Sequence, residues 1–456
     1  MSPGPDPTLM NSQFTHSETD AANLLIAGAS TRAAAASALR AGMRPVCVDQ
    51  FGDQDLHALA RVIPRVSAPN DWLLELAALE PMEWIFTGAV ENQSELIAQI
   101  SAQHTLRGCD PDCLSRVRDP FFLQTLLSDN SIRMSPCLPV EAKPADAENW
   151  LLKPLESAAG QGIRFMDEVL VESEPAGDCY LQRYQSGAPL SALFIAFPEA
   201  VVLVGMALQF CGNPTLGAAA FQFCGGVTIS PVPDGLRSDL EELGTTVARG
   251  CGIQGLFGCD LIGSPDDEEP LWLTEVNPRY TGLTELFELQ SQVPLLGWHL
   301  KACRSFADNS AEPDTAGELK TQLERAFREP FQQISKGILY AQRDRTAPEI
   351  RFSGIPDDCY AIPESADLPY PGTLIPRGTP FCSVYGTGKN PRESLQVLAR
   401  RVNKYQQLLA AGELPEESGD NPHTSPGTVK EPENLFFSRF FSSVPGRLSF
   451  LEESPD

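Results

Sequence analysis

The sequence predicts an N-terminal α/β domain followed by a larger region of mixed α+β structure. From Asn23 the chain alternates an apolar strand pattern, a turn containing Gly28, a helical pattern and a second apolar strand. Residues 149 to 305 then alternate short strands and turns with helical patterns near SDLEELGTTVARG and TELFELQ. Residues 335 to 410 return to short strands and end in a helical pattern.

Composition restricts the class of protein. The 456 residues are enough for two or three domains, and 42% hydrophobic with 21% charged residues is ordinary for a soluble globular chain. The net charge of -26 argues against nucleic-acid or anionic-membrane surfaces, which need concentrated Lys and Arg. No stretch has the apolar length of a membrane span, and the polar N-terminus has no signal-peptide pattern. These features predict a cytoplasmic protein.

The 12 cysteines are scattered, and no CxxC pair occurs. Cys109 and Cys113 are the closest two, but no second pair completes a zinc site. We interpret the cysteines as reduced, buried small hydrophobes, in agreement with a cytoplasmic location.

The first domain is expected to end near residue 115, after strands in NLLIAGAS, RPVCVDQ and EWIFTGAVEN. Its first turn, GASTRA, lacks the second and third glycines of GxGxxG. The turn is therefore more typical of a structural or substrate-facing position than of a dinucleotide site.

The stretch LWLTEVNPRYTG (271–282) places Glu275, Asn277 and Arg279 at alternate positions of a predicted strand. Because a strand has a period of two, these side chains are expected on one face, together with Leu271 and Leu273. Burying such a polar row is unfavourable unless protein groups or a ligand pair with it.

The preceding strand, GLFGCDLIG (255–263), is joined to this one by SPDDEEP, as in a hairpin. A pairing centre between residues 267 and 268 puts Asp260 opposite Glu275. Opposed carboxylates repel each other unless a positive charge lies between them. With Asn277 they offer the oxygen ligands that suit Mg²⁺ or Mn²⁺. The alternative is a solvated acidic pair neutralised by Arg279.

A second constellation lies in NWLLKPLESAAGQGIRF (149–165). A strand carrying Lys153 precedes a loop in which Ser157, Gly160 and Gly162 leave backbone N–H groups uncovered, as a phosphate-binding loop requires. The alternative is a plain hairpin with a glycine turn. A third stretch, DCYLQRYQSGAPLS, is a strand and turn that could border a purine ring.

Together these segments resemble the ATP-grasp superfamily, in order, over roughly residues 115 to 305. The matching motifs are Lys153-Pro154, SAAGQG, LQRYQSG, GLFGCD and EVNPRYTG. The resemblance implies a Rossmann-like pre-ATP-grasp domain, a two-subdomain ATP-grasp fold and a small mixed C-terminal module. The expected boundaries are 21–115 for the first domain, 116–305 for the ATP-grasp domain, 306–330 for a linker and 331–411 for the module. Composition predicts disorder in residues 1–20 and in the acidic tail 412–456.

The resemblance also implies roles for the residues. Lys153 would contact the α- and β-phosphates of ATP, and the loop from Ser157 through Gly160 to Gly162 would cover the triphosphate. The residues expected along the adenine edge are Gln182, Arg183 and Gln185. Those expected to hold one or two Mg²⁺ (or Mn²⁺) ions are Asp260, Glu275 and Asn277, with Arg279 stabilising the transferred phosphoryl group.

Three positions depart from the family pattern. Many members carry an Asp-Lys pair where this chain has Asp119-Pro120, with Arg118 as the nearby substitute. Pro189 stands where an acid often binds the ribose. Residues 210–231 contain no Lys or Arg for a second phosphate contact.

The resemblance implies a ligase that activates a small-molecule carboxylate for attack by an amine, and a homodimer is compatible with it. Residues 368–388 are loosely similar to C-terminal segments of ATP-grasp proteins in one-carbon carrier cofactor synthesis. The competing hypothesis is a catalytically weak nucleotide-binding scaffold, with FFSRFF (436–441) as a docking motif. A purine-synthesis or biotin-dependent carboxylase is a third alternative, without an evident bicarbonate or biotin signature.

Overall fold

The computed structural model describes residues 22–64, 75–142, 144–169, 178–263, 271–308, 315–328, 331–350, 352 and 354–411. Both predicted disordered ends, the hairpin loop 264–270 and the FFSRFF motif lie outside the described residues.

The N-terminal domain contains the predicted parallel sheet. Its elements are β1 (Leu24–Gly28), α1 (Arg32–Arg40), β2 (Pro45–Asp49), α2 (Gln54–Leu59), β3 (Arg61–Pro64), β4 (Glu83–Phe86), α3 (Ser94–Ser101) and β5 (Thr105–Leu106). The strand order is β3-β2-β1-β4-β5 and every neighbouring pair is parallel. All residues of β1 and β2 are buried, as expected for a parallel sheet covered on both faces.

Two short helices and a small antiparallel sheet follow. The elements are α4 (Pro111–Arg118), α5 (Pro120–Leu126), β6 (Arg133–Met134), β7 (Cys137–Pro139), β8 (Trp150–Pro154), β9 (Arg164–Phe165), α6 (Met166–Val169) and β10 (Cys179–Arg183). The sheet order is β7-β10-β8-β9. Asp119 separates the helices because its carboxylate caps α5, accepting hydrogen bonds from the N–H groups of Phe121 and Phe122.

A larger sheet forms the centre of the molecule. Its first elements are β11 (Ala188–Ala196), β12 (Val201–Cys211), β13 (Phe223–Ile229), α7 (Asp234–Cys251), β14 (Gly255–Gly263), β15 (Trp272–Asn277), α8 (Thr284–Ser291), α9 (Leu295–Asp308) and α10 (Thr315–Ala326). The remaining elements are β16 (Gln333–Tyr340), β17 (Arg345–Thr346), β18 (Ser365–Ala366), β19 (Leu374–Ile375), β20 (Pro380–Gly388) and α11 (Pro391–Ala411). Within the described residues the sheet order is β18-β20-β16-β13-β12-β11-β14-β15-β6.

The C-terminal segment differs from the expected layout in two ways. Its long strands β16 and β20 extend the central sheet, because β16 pairs with β13. The predicted linker is also wrong in part, since α10 occupies residues 315–326 within it. Ala316, Leu319 and Leu323 are buried at helical spacing, a signal that the acidic composition around them obscured.

All twelve cysteines are unpaired and nine are buried, as predicted from their apolar surroundings. No helix in the described part of the chain is long and apolar enough to cross a membrane.

A buried ionic network joins the first domain to the central sheet. The guanidinium of Arg32 donates to both carboxylate oxygens of Glu285, at 2.5 and 2.8 Å, and to Asp367 at 2.8 Å. Lys336 lies 3.3 Å from Glu285, and the hydroxyl of Tyr385 donates to Glu285 at 2.6 Å. Burial opposes the charge of Glu285, but the two cations lower its pKa below the ordinary value. The network therefore holds α1, α8 and the C-terminal strands together.

Replacing Glu285 tests this network. We expect Glu285→Ala to lower the free energy of unfolding by about 3 kcal/mol, because it leaves buried cations short of a partner. The matched control is Glu318→Ala, whose side chain is 55% exposed and pairs with Lys301, and which should cost less than about 1 kcal/mol. Urea denaturation followed by fluorescence measures both changes. Equal effects of the two substitutions would contradict a stabilising role of the network.

Candidate active site

A cavity of about 980 Å³ lies between the small sheet, the central sheet and turns of the N-terminal domain. The predicted residues that line it are Lys153, Gly160, Gln182, Arg183, Gln185, Asp260, Glu275, Asn277 and Arg279. Two predicted residues, Ser157 and Gly162, do not line it. The structure thus brings nine of the eleven predicted residues to one place.

The acidic pair lies where the hairpin register predicts. Asp260 is directly opposite Glu275, in adjacent antiparallel strands. The register then shifts, so that Leu261 pairs with Leu273 and Thr274 forms a bulge. The expectation that Leu271 and Leu273 share a face with Glu275 is therefore wrong. The extra residue reverses the alternation, which keeps Leu273 in the core and turns Glu275 to the cavity.

Asp260 is held by three donors. Its Oδ1 accepts hydrogen bonds from Gln209 Nε2 at 2.5 Å and Ser191 Oγ at 3.1 Å, and its Oδ2 accepts one from Asn277 Nδ2 at 3.0 Å. Burial, together with the facing Glu275, raises the pKa of Asp260 to about 6. Sequence reasoning missed Gln209 and Ser191, because they lie on strands distant along the chain.

Arg279 is fixed by the N-terminal domain. Its Nε donates to Glu91 Oε1 at 2.6 Å, and its Nη2 donates to Asn277 Oδ1 at 3.0 Å. Burial opposes the charge, but Glu91 and the acids of the site raise the pKa of Arg279 above its ordinary value. Glu91 was missed because it lies 188 positions from Arg279, in a stretch, EWIFTGAVEN, that was interpreted only as a strand.

Lys153 is a second cation that lines the cavity. It is 7% exposed, and its Nζ donates to Gln182 Oε1 at 3.1 Å and to the carbonyl of Thr274 at 3.3 Å. Burial opposes its charge, while Tyr180 and Glu275 raise its pKa. Because no carboxylate neutralises Lys153 within salt-bridge distance in the described residues, it can receive an anion.

The glycine loop packs closely on the segment that follows β12. Gly160 has a φ of +77°, and a Cβ there would lie 2.1 Å from the carbonyl oxygen of Phe221. The carbonyl of Ala159 accepts a hydrogen bond from Phe223 N at 3.2 Å. Ser157 instead faces the first domain, where its carbonyl accepts a bond from Asn92 at 3.3 Å.

The predicted adenine edge has polar and aromatic parts. Gln182 donates to the carbonyl of Thr274 at 3.2 Å, and Gln185 donates to Ser135 Oγ at 3.2 Å. Arg183 pairs with Asp146 at 2.9 Å. The aromatic side chains that line this part are Phe165, Tyr184 and Phe221. The ring centroids of Tyr184 and Phe221 lie 5.3 and 5.7 Å from that of Phe165.

The structure shows where the residues that depart from the family pattern lie. Arg118 does not line the cavity, and its guanidinium donates to the carbonyl of Leu155 at 2.9 Å. Pro189 lines the cavity. Lys336, which sequence reasoning missed, reaches the cavity from β16, opposite Gly226. A basic residue is therefore present on the strand beside the segment that lacks one.

The donor set suits a divalent cation that a phosphate also holds. No three His, Cys, Asp or Glu side chains form a metal cluster in the described residues. Asp260 and Glu275 supply two carboxylates and Asn277 adds an amide, while burial, together with the facing Glu275, raises the pKa of Asp260. Oxygen ligands of this kind fit Mg²⁺ better than zinc.

The same repulsion predicts a stability change. Glu275→Gln removes the repulsion from Asp260 and also the attraction of Glu275 to Lys153 and Arg279, so the pH dependence isolates the repulsion. The change in stability on substitution should be more favourable at pH 8 than at pH 5 by roughly 0.2–1 kcal/mol, because Asp260, with its pKa of about 6, is ionised at pH 8 and mostly protonated at pH 5. Unfolding midpoints in EDTA at both pH values measure this, with the exposed Glu80→Gln as the control. A gain that is equal at pH 5 and pH 8 would refute the repulsion.

Comparisons with known proteins agree with this geometry. Residues 117–283 match the family described as the ATP-grasp domain, whereas no curated protein matches the sequence. Biotin carboxylase from Campylobacter jejuni, solved as a β,γ-ATP complex, has a TM-score of 0.59 and 14% identity over 86% of this chain and 95% of that chain.

Two further solved structures show similar overlap. The L-amino acid ligase from Bacillus licheniformis has a TM-score of 0.57 and 12% identity over 85% of this chain and 98% of that chain. The biotin carboxylase domain of 2-oxoglutarate carboxylase from Hydrogenobacter thermophilus, solved with MgADP and bicarbonate, has a TM-score of 0.59 and 12% identity over 86% of this chain and 95% of that chain. At this identity the likenesses establish the fold, and together with the family match they place residues 117–283 of this chain in the ATP-grasp family.

Proposed function

We propose that the protein is an ATP- and Mg²⁺-dependent ligase that joins a small-molecule carboxylate to an amine and releases ADP and phosphate. The observation that supports this most is the opposition of Asp260 and Glu275 in the same cavity as Lys153 and Arg279. Two acids facing each other in a cavity that two cations also line suit a metal-bound polyphosphate.

The nucleotide would lie between the small sheet and the central sheet. Lys153, which has no carboxylate partner in the described residues, would bind the α- and β-phosphates as a point charge. Gly160 and its neighbours would cover the triphosphate with backbone N–H groups. Gln182, Arg183 and Gln185 would border the adenine.

Asp260, Glu275 and Asn277 would hold Mg²⁺, which when bound neutralises phosphate charge. Asn277 now donates its Nδ2 to Asp260, so its amide would turn to offer Oδ1 to a cation. Arg279 would stabilise charge on the phosphoryl group in transit. Glu91 would position this guanidinium through its 2.6 Å contact.

The reaction would have two steps. A carboxylate oxygen of the substrate attacks the γ-phosphorus, the bond to the bridging oxygen breaks, and ADP leaves. The amine nitrogen then attacks the acyl carbon, the carbon–oxygen bond to phosphate breaks, and the amine loses a proton. The residues of the site would mainly position the substrates and neutralise phosphate charge, because the protein itself forms no covalent bond in either step.

The similar solved structures share the fold with this chain, and the fold does not identify the substrate. One is an amino acid ligase and two are carboxylases, so the carboxylase alternative corresponds to bicarbonate as the acid. The H. thermophilus domain was solved as a dimer, and a homodimer stays a prediction for this chain. Synthesis of a one-carbon carrier cofactor also stays a prediction, resting on residues 368–388, several of which line the cavity.

A catalytically weak nucleotide-binding protein is the second candidate. One observation favours it: Arg118, the substitute for the family's lysine, is engaged outside the cavity. Lys336 lines the cavity as well, but Glu285 and Asp367 already pair with it, so it does not replace that lysine.

The ligase proposal is tested by trapping the activated acid. We expect pools of small carboxylates, bicarbonate included, with Mg²⁺, ATP and hydroxylamine as the amine, to give ADP and a hydroxamate. Glu275→Ala should lower the rate by about 100-fold or more, because it removes a ligand used for charge stabilisation. The exposed Glu80→Gln serves as the control. MgATP binding without ADP release above the Glu275→Ala level for any acid would favour the scaffold candidate.

The glycine loop gives a separate prediction. Gly160→Ala should weaken MgATP binding about tenfold, because the new methyl group meets the Phe221 carbonyl and displaces the loop. Gly42→Ala is the matched control, since Gly42 has the same φ of +77° but no atom within 4 Å of the added Cβ. Isothermal titration calorimetry measures both. Equal affinity of the two variants would show that this loop does not contact the nucleotide.

A further inference from the structure

Part of the cavity, here called the second lobe, is lined by residues to which the proposed nucleotide contacts give no role. The N-terminal domain contributes the turns after β1 and β2, and the C-terminal segment contributes residues around β19 and β20. The apolar residues that line this lobe include Ala33, Phe51, Pro369, Leu374 and Phe381. Phe51 is 39% exposed and Leu374 is 68% exposed, so apolar surface remains open to an incoming molecule.

Asp53 lines the same lobe and differs from every acid around it. It is 7% exposed, it occupies the position before α2, and its carboxyl makes no capping hydrogen bond. Within the described residues it has neither a hydrogen-bond partner nor an ion-pair partner. Neither of its oxygens is fully buried, so the group keeps access to the cavity.

The neighbouring acids are satisfied inside the protein. Asp49 accepts bonds from the side chain and N–H of Thr31 and from two further N–H groups. Asp55 accepts two backbone N–H groups of the C-terminal segment, at 2.8 and 3.0 Å. Asp367 is paired with two buried cations, at 2.8 and 3.5 Å. Asp53 alone among these four lacks a partner in the described residues.

The electrostatic surroundings of Asp53 disfavour its ionised form unless a cation lies beside it. Burial, together with Asp367, Asp55 and Asp49, raises the pKa of Asp53 to about 9, and Arg32 only partly opposes them. Arg32 does not pair with Asp53, because its guanidinium already donates hydrogen bonds to Glu285 and Asp367. A nearly buried carboxyl that is left without a partner costs stability and brings no internal contact, which is the pattern of a group kept for a ligand.

We propose that Asp53 anchors a subsite for a substrate that carries an ammonium group on an apolar body. The cation meets the carboxylate, and the apolar part packs on Phe51, Pro369 and Leu374. This subsite would receive the amine partner, and that identification rests on the proposed ligase function. The binding of the cation itself does not depend on ligase chemistry.

The test uses the full chain without nucleotide and three probes of the same shape: benzylamine, benzyl alcohol and benzoate. Because the pKa of Asp53 is about 9, its carboxyl must lose a proton when an ammonium group binds, so ligand-observed NMR titrations are run at pH 7.5 and pH 8.5. Benzylamine should bind about tenfold or more tightly than the other two at pH 8.5, and its advantage should be smaller at pH 7.5, where less of the carboxylate is ionised. Asp53→Asn should abolish this preference. Asp357→Asn, which removes an exposed acid, should leave it unchanged.

The acidic pair of the metal site is a competing location for a cation, so the titration is repeated on Glu275→Gln and with Mg²⁺ and ATP present. The preference for benzylamine should persist in both cases. The proposal is overturned if Asp53→Asn keeps the preference, if Glu275→Gln or Mg²⁺ with ATP removes it, or if benzoate binds as well as benzylamine. The probe series on the unmodified protein remains decisive should Asp53→Asn fail to fold.

The two proposals fail separately. If no acid gives a hydroxamate while benzylamine binding still depends on Asp53, the ligase function fails and the cation subsite stands. If hydroxamate forms while benzylamine, benzyl alcohol and benzoate bind equally, the subsite fails and the ligase function stands.

Discussion

The buried guanidinium of Arg32 is the constraint on which the arrangement of the molecule depends. A charge at 5% exposure must be neutralised, and its partners Glu285 and Asp367 come from α8 and from the segment before β20. Satisfying this one group brings together three parts of the chain that are far apart in sequence. Those same parts form the walls of the cavity, so the geometry of the site follows from the neutralisation of a structural charge.

The bulge at Thr274 resolves a conflict within β15. The strand must bury Leu273 and also present Glu275, although both residues fall on the same face of a regular strand. One extra residue reverses the alternation, after which Val276 returns to the core. The acids can therefore lie in a site next to the core while apolar packing is kept on the other face. Bulges commonly re-aim side chains beside active sites, and this one does so in the strand that carries Glu275 and Asn277.

Two kinds of buried acid occur in this protein. Glu285 is surrounded by cations, its pKa is lowered, and it contributes to folding. Asp260 and Asp53 have raised pKa values and line the cavity, so their ionised forms are costly in the absence of a ligand. This division separates residues that hold the fold from residues that await a positive charge. Under the proposed function, a strongly acidic chain would accommodate a polyanion because the anion brings its own cation and meets Lys153 and Arg279.

The sequence by itself determined the local features. The parallel first sheet, the Asp260–Glu275 opposition and the glycine loop after Lys153 follow from periodicity and short-range spacing. Most of the expected site residues therefore meet in one cavity. The ATP-grasp resemblance, carried by these same motifs, agrees with the match over residues 117–283.

Only the tertiary structure decided which distant groups complete the site. Glu91 reaches Arg279 across 188 positions, and Gln209 reaches Asp260 across 51, so no local pattern could reveal either contact. The pairing of β16 with β13, which brings Lys336 to the cavity, likewise joins segments that are far apart in the sequence. The sequence analysis did not single out Asp53, and its lack of a partner in the described residues became visible only once its neighbours were in place. Spacing along a chain fixes which residues share a strand or a turn, whereas burial and charge neutralisation depend on segments that meet only on folding.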